Sequence, residues 1–265
     1  MMRLVAAMSD EFTSTFEKLW GSLRSQWCDC HDLEGALALS HDDVKTEFFH
    51  RVVQIKVDGA RVDRLIDDAI QYFQTKDFPC AFTLSPLDRP ASFADRLMHR
   101  GFVRGKQASA MVCRRPDERP TINCAVAVDR LTEDEYETWT DLVCRNFDLP
   151  HVIGTVGRSV LIAPETRLYL ARVDGDPVGT TLLHSRFDMG YIDFVGALPE
   201  WRRKGVASAL VRHAVVDSLE LGNRWTALEV VSGGNTEQLY RRLGFHTVHH
   251  RQRYTAPPAE TIASE

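Results

Sequence analysis

From residue 125 onward the apolar positions switch between two periods. Residues 125–128 form a short apolar run of strand character, and residues 134–147 carry Tyr136, Trp139 and Val143 on one side of a helix. Residues 167–173 read as a strand. Asp174-Gly175-Asp176 is a turn signal, and residues 177–184 read as the strand after it. Asp188-Met189-Gly190 marks a further turn before a strand over residues 191–198. A helix is expected from Gly205, with Val206, Ala209, Leu210 and Ala214 on one stripe and Gly222 just past its end. Residues 225–231 then read as a strand, 236–243 as a short helix and 245–254 as a last strand. Alternation of this kind is that of a mixed α/β domain.

The first half is less regular. Residues 57–73 place Val62, Leu65, Ile66, Ala69 and Ile70 on one helical stripe. Residues 80–84 and 108–114 read as strands, and residues 93–99 as a short helix closed by Arg100-Gly101-Phe102. Between the halves, Arg115-Pro116-Asp117-Glu118-Arg119-Pro120 is charged and holds two prolines, which reads as a linker. The expected division is a domain over 1–120, a domain over 121–256 and a frayed tail over 257–265.

Composition narrows the classes. With 44% hydrophobic and 26% charged residues the chain has the balance of a globular protein. No apolar run approaches the roughly 20 residues needed to cross a bilayer, and residues 4–8 are too short an apolar stretch for an export signal. A cytoplasmic location without membrane contact is the expectation. The net charge of −5 gives no reason to expect a nucleic-acid partner. Six cysteines are too sparse for a disulfide framework, so free thiols are expected. Cys28-Asp29-Cys30-His31 lacks the second ligand pair of a zinc site, so no metal is expected. The histidines over 246–250 read as surface residues, Cys144 as a packed thiol, and the five tryptophans as core or rim.

One segment invites an anion. In Leu198-Pro199-Glu200-Trp201-Arg202-Arg203-Lys204-Gly205-Val206-Ala207 a strand ends, three cations follow, and a helix begins at a glycine. A helix N-terminus presents unpaired N–H groups and partial positive charge. The small residues Gly205 and Ala207 let a ligand approach the backbone. A diphosphate fits such a cradle; a solvated basic turn is the alternative reading. No G-x-G-x-x-G and no G-x-S-x-G occur, and Gly101-Phe102-Val103-Arg104-Gly105-Lys106 is one residue short of a Walker A loop.

Arg202-Arg203-Lys204-Gly205-Val206-Ala207 resembles the R/Q-x-x-G-x-G/A signature of the GNAT superfamily of N-acetyltransferases. Downstream, Leu239-Tyr240-Arg241-Arg242-Leu243-Gly244-Phe245 is similar to the family's LYxxxGF motif, and Leu228-Glu229-Val230 just before it also matches. The resemblance covers residues 121–256. It implies the GNAT acyl-CoA acyltransferase fold, with two parallel strands parting at a bulge near Val195-Gly196-Ala197 and near Val231. It implies acetyl-CoA as co-substrate, no metal, and direct attack by an amine. The diphosphate would lie on Arg203, Lys204, Gly205, Val206, Ala207 and Ser208, with Arg202 adding charge, and the pantetheine arm along Val195, Gly196 and Ala197. Tyr240 is the implied acid. Glu229 is the first candidate for the base and Asp193 the second, sharing a strand face with Val195 and Ala197. Ser232-Gly233-Gly234-Asn235 is a shorter link than the family often carries, and the resemblance implies a cofactor contact at Asn235.

Leu97-Met98-His99-Arg100-Gly101-Phe102 echoes the end of the second motif, with leucine in place of tyrosine, and nothing before residue 120 resembles the phosphate signature. The first half therefore reads as a degenerate GNAT-like domain in tandem with a catalytic one; an unrelated helical domain is the alternative. The expected activity is acetyl transfer to a primary amine of a small molecule by a monomer or homodimer. A protein acetyltransferase, a non-catalytic coenzyme A-binding regulator and a longer acyl donor remain open alternatives.

Overall fold

The computed structural model describes residues 2–114, 125–151, 158, 160 and 163–257, with side chains from residue 9 onward. The expected linker over 115–120 lies outside these residues. Six helices are described: α1 (Met2–Arg24), α2 (Val62–Thr75), α3 (Phe93–His99), α4 (Tyr136–Phe147), α5 (Val206–Glu220) and α6 (Asn235–Arg242). None is long and apolar enough to cross a membrane.

The chain divides into two compact units, one of residues 1–27 with 109–249, the other of 28–108 with 250–265. This differs from the expected 1–120 and 121–256. Part of the difference is α1, for which no helix was expected, and the rest is that the strands Val103–Cys113 and His246–Thr255 are each divided between the units. The α1 residues Phe12, Phe16, Leu19, Trp20 and Leu23 recur at helical spacing and are all buried. The stripe packs inside the larger unit, where the Phe16 ring meets Tyr191 edge-on at 5.7 Å and Phe12 meets Trp225 at 6.0 Å.

The larger unit holds β6 (Ala127–Arg130), β7 (Thr166–Val173), β8 (Asp176–Arg186), β9 (Met189–Ala197) and β10 (Trp225–Val231). It also takes residues 109–113 of β5 (Val103–Cys113) and residues 246–249 of β11 (His246–Thr255). Strands β6 to β9 run antiparallel in chain order, and β10 lies parallel to β9. One face of this sheet, with Ile192 and Leu228, packs on Val206, Leu210, Val211, Ala214 and Val215 of α5. Side chains alternate along a strand, so Tyr191 points to the other face, where α1 lies. Within this stripe the polar Thr13 and Glu17 are satisfied by buried His249, at 3.3 Å from Nδ1 and 3.2 Å from Nε2. His249 is thus a core residue, against the expectation of a surface histidine, while His246 and His250 are exposed.

The smaller unit contains β1 (Asp29–Asp32), β2 (Leu37–Ser40), β3 (Arg51–Val53) and β4 (Ala81–Leu84). Strands β1 to β3 are antiparallel, β3 and β4 parallel, and residues 252–255 of β11 pair with β4. Three antiparallel strands, a helix, a parallel strand, a short helix and a further strand thus occur in both units in the same order. The local corners also repeat. The Phe102 amide donates to the Leu97 carbonyl at 3.0 Å across Gly101, and the Phe245 amide to the Tyr240 carbonyl at 3.0 Å across Gly244. Both glycines hold positive φ, +81° and +91°. Ahead of α2, where α5 has its three cations, the chain carries Asp58, Gly59, Ala60 and Arg61.

The α1 stripe dictates a stability result. Phe16→Ala removes a fully buried ring and is expected to cost about 3–5 kcal/mol, read as a lower urea midpoint at unchanged slope. A loss under about 1 kcal/mol would show that α1 is not part of the larger unit's core.

Candidate active site

The site begins where two strands separate. β9 and β10 pair in parallel from Met189↔Trp225 to Ile192↔Leu228, and the pairing stops there. Residues 193–197 continue along β8 alone. The cause lies on the β8 side. Thr180 faces Gly196 and Leu182 faces Asp193, so Phe194 and Val195 both stand against Thr181. This is a β-bulge, which bends and twists its strand. It sits one residue earlier than the expected Val195-Gly196-Ala197.

Phe194 adopts φ +50°, a conformation that costs free energy in a non-glycine residue. Its surroundings hold it there. The Thr180 and Thr181 hydroxyls donate to the carbonyls of Phe194 and Asp193, each at 3.1 Å. The Phe194 ring stacks on Trp27 at 4.9 Å and meets Trp139 and Phe147 edge-on. Gly196 is required by close approach, because a Cβ there would lie 2.7 Å from Nδ2 of Asn146. Val195, Gly196 and Ala197 are half-buried.

Beyond Ala197 the chain reaches the basic turn. Arg203 has φ +61° and Gly205 φ +89°, so two left-handed residues flank Lys204. Such a turn gathers successive amides into an anion-binding concavity. The first intrahelical bond of α5 is Ala209 N to Gly205 O at 3.0 Å, which leaves the amides of Val206, Ala207 and Ser208 at the helix start. No acidic residue lies in that first turn. Arg202, Arg203 and Lys204 are exposed, and the Lys204 ammonium sits 4.6 Å from the Trp201 ring. The residues present fit a diphosphate, and the unpaired β9 edge fits an extended amide chain.

Asp193 and Glu229 occupy the next positions after the last paired residues, Ile192 and Leu228, and so stand at the same level on either side of the gap. Asp193 shares the Tyr191 face. Its Oδ2 accepts from Nη2 of Arg24 at 2.7 Å and its Oδ1 from the Phe194 amide at 2.9 Å. Glu229 is half-buried near the end of β10. Tyr240, in α6, is buried, and burial first, then the negative charge of Asp193, hold its phenol well above the ordinary range. At neutral pH it is a protonated donor.

Residues 127–245 match the family model for the acetyltransferase (GNAT) family. This segment is a GNAT acetyltransferase domain. Members of that family move an acetyl group from acetyl-CoA. A GCN5-related N-acetyltransferase from Kribbella flavida is similar in structure, with TM-score 0.74, 18% identity, and coverage of 94% of this chain and 97% of that one. A GCN5-related N-acetyltransferase from Sphaerobacter thermophilus gives 0.64 at 19% identity, covering 84% and 80%. A tandem GNAT protein from the clavulanic acid biosynthesis pathway gives 0.58 at 16%, covering 79% and 76%. At these identities the likeness is one of fold. Comparison with curated proteins gives no significant match.

Within the GNAT domain, Asn235 is exposed as the first residue of α6. The link before it is held by Glu237, a residue the motif reading passed over. Its carboxylate accepts from the Gly233 amide at 2.7 Å, the Ser109 hydroxyl at 2.9 Å, Arg241 at 2.8 Å and the Thr247 hydroxyl at 3.1 Å. Ser109 also meets the Ser232 hydroxyl at 2.8 Å. A signal for this existed, since Glu237 stands three residues after the N-cap Gly234, where capping-box carboxylates occur. Arg24, Trp27 and Asn146 were also missed, because they come from elements with no motif. Among the described residues no group of side chains could hold a metal ion, and the five described cysteines are free.

The Glu237 hub has a pH consequence. The Gly233 amide, then the Ser109, Arg241 and Thr247 donors, draw its carboxyl down from 4.5 to about 2, against the opposing effect of burial. A depressed carboxyl stabilises the fold above its unfolded pKa. That contribution is lost as pH falls from about 4.5 toward 2. Glu237→Gln should lower stability at pH 7 by about 1–3 kcal/mol and flatten the decline of melting temperature across that window. An equally steep decline in the variant would assign the acid sensitivity elsewhere.

Proposed function

We propose that this chain transfers the acetyl group of acetyl-CoA to the primary amine of a small molecule within a ternary complex. The observation that carries the reading is the gap between β9 and β10, which opens beside a buried, protonated tyrosine and leads to a basic helix start. In this reading the amides of Val206, Ala207 and Ser208, with Arg202, Arg203 and Lys204, hold the diphosphate. The free edge of Val195, Gly196 and Ala197 pairs with the pantetheine amides, and Asn235 adds a contact at its far side. Acetyl-CoA supplies the activated acyl carbon as a thioester.

Glu229 accepts the proton that the attacking ammonium must lose. The new C–N bond forms as the C–S bond breaks, and Tyr240 donates its proton to the departing sulfur. Asp193, pinned by Arg24, stands across the gap as the second candidate base. The smaller unit repeats the strand and helix order but lacks the cationic turn and carries Leu97 where the domain has Tyr240. We read it as a GNAT-like copy that no longer binds the coenzyme.

Calorimetric titration with acetyl-CoA tests the reading. Binding in the micromolar range is expected for the wild type and none for Gly205→Glu, which places charge and a Cβ on a left-handed residue in the anion cradle. Unchanged affinity in the variant would remove the cradle from the argument. With binding established, amines and peptides screened side by side separate a small acceptor from a protein one. Tyr240→Phe should keep the affinity and lose roughly 100-fold or more in turnover. Undiminished turnover would leave the tyrosine as a packing residue only.

A further inference from the structure

We infer that Arg24, at the end of the first helix of the chain, is a positioning residue of the transfer site. It acts through Asp193, so that α1 completes the active centre. The inference rests on the acetyl-transfer reading above. Arg24 and Asp193 lie 169 positions apart in sequence, yet their side chains meet at 2.7 Å and are only 5% and 17% exposed.

Three observations converge. First, the helix does not need this charge in order to pack. Its apolar stripe from Phe12 to Leu23 is already buried, and a buried ion pair adds little stability over apolar residues of the same size. Second, both oxygens of Asp193 are fixed, Oδ2 by Arg24 and Oδ1 by the amide of Phe194. The carboxylate has one orientation, and it borders the gap. Third, the same end of the chain grips the neighbouring residue. Trp27 stacks on Phe194 at 4.9 Å and 3°, so the left-handed bulge residue and the carboxylate beside it are both held from the end of α1.

The chemistry gives this arrangement a purpose. When Tyr240 hands its proton to sulfur, negative charge develops on the phenol oxygen within the field of Asp193. Two like charges in a poorly hydrated site repel strongly. Arg24 supplies a compensating cation to the carboxylate and fixes the orientation of its Oδ2. Removing the cation leaves a half-buried carboxylate uncompensated and held by the Phe194 amide alone, and a misplacement of about 1 Å costs roughly 100-fold in rate.

The experiment uses the full chain with Arg24→Met, Arg24→Lys, Asp193→Asn and the double variant Arg24→Met with Asp193→Asn. For Arg24→Met, kcat should fall about 10- to 100-fold while KM for acetyl-CoA stays within about twofold, because the phosphate cradle is untouched. Arg24→Lys should recover most of the rate, since a single donor makes the observed contact. The double variant should lose no more than the worse single variant, because Arg24 acts through Asp193. Wild-type kcat in Arg24→Met, or losses that multiply in the double variant, would overturn the inference. Should Arg24→Met fail to fold, Arg24→Gln carries the same comparison. If the wild type acetylates no amine, the transfer reading itself fails. The pair is then judged by a denaturant cycle on the same variants, where purely additive destabilisation would overturn it as well.

Discussion

Parallel strands β9 and β10 share four residue pairs and then part. The parting follows from one extra residue in β9, which no partner on β8 accommodates. A buried backbone cannot leave its polar groups unsatisfied without cost. On one side the bulge spends its carbonyls on the hydroxyls of Thr180 and Thr181. On the other side the edge of residues 193–197 faces an opening where a strand would otherwise lie. Nearly every residue assigned to the site is placed by this event. Asp193 and Glu229 line the two banks, and the strand delivers the chain to the cationic turn.

Much of this was legible in the sequence because it is local. A glycine before an amphipathic helix, cations beside it and a Tyr-x-x-x-Gly-Phe corner are short-range signals. The structure puts α5 and α6 where those signals predicted them. Strand β10 begins and ends at the expected residues. The shift of the bulge to Phe194 was not legible, since a two-against-one register depends on the partner strand and has no composition of its own. Nor was the role of Glu237, whose four donors come from β5, β11, α6 and the glycine link. Each is ordinary in sequence; only the fold gathers them around one carboxylate.

The first helix shows the same limit from another side. Its stripe of Phe12, Phe16, Leu19, Trp20 and Leu23 has clear helical spacing, but its contact surface lies far along the chain, on Tyr191, Trp225 and His249. The boundary expected near residue 120 relied on a proline-rich stretch and assumed that each domain is contiguous. The chain instead lends its first 27 residues to the larger unit and its last strand's end to the smaller one. The compact units are therefore interleaved in sequence, and no cut at a single peptide bond separates one from the other.

The two Gly-Phe corners, at 101–102 and 244–245, make one further point. In each, the phenylalanine amide is bonded to a carbonyl four residues before the glycine, a bond that uses only main-chain atoms of the residue supplying it. Its side chain is left unspecified by the turn. Leu97 fills one core and Tyr240 another, the tyrosine bringing a hydroxyl with it. The corner is a mount indifferent to what is fastened to it. The side chain at that position can change without the architecture registering the change.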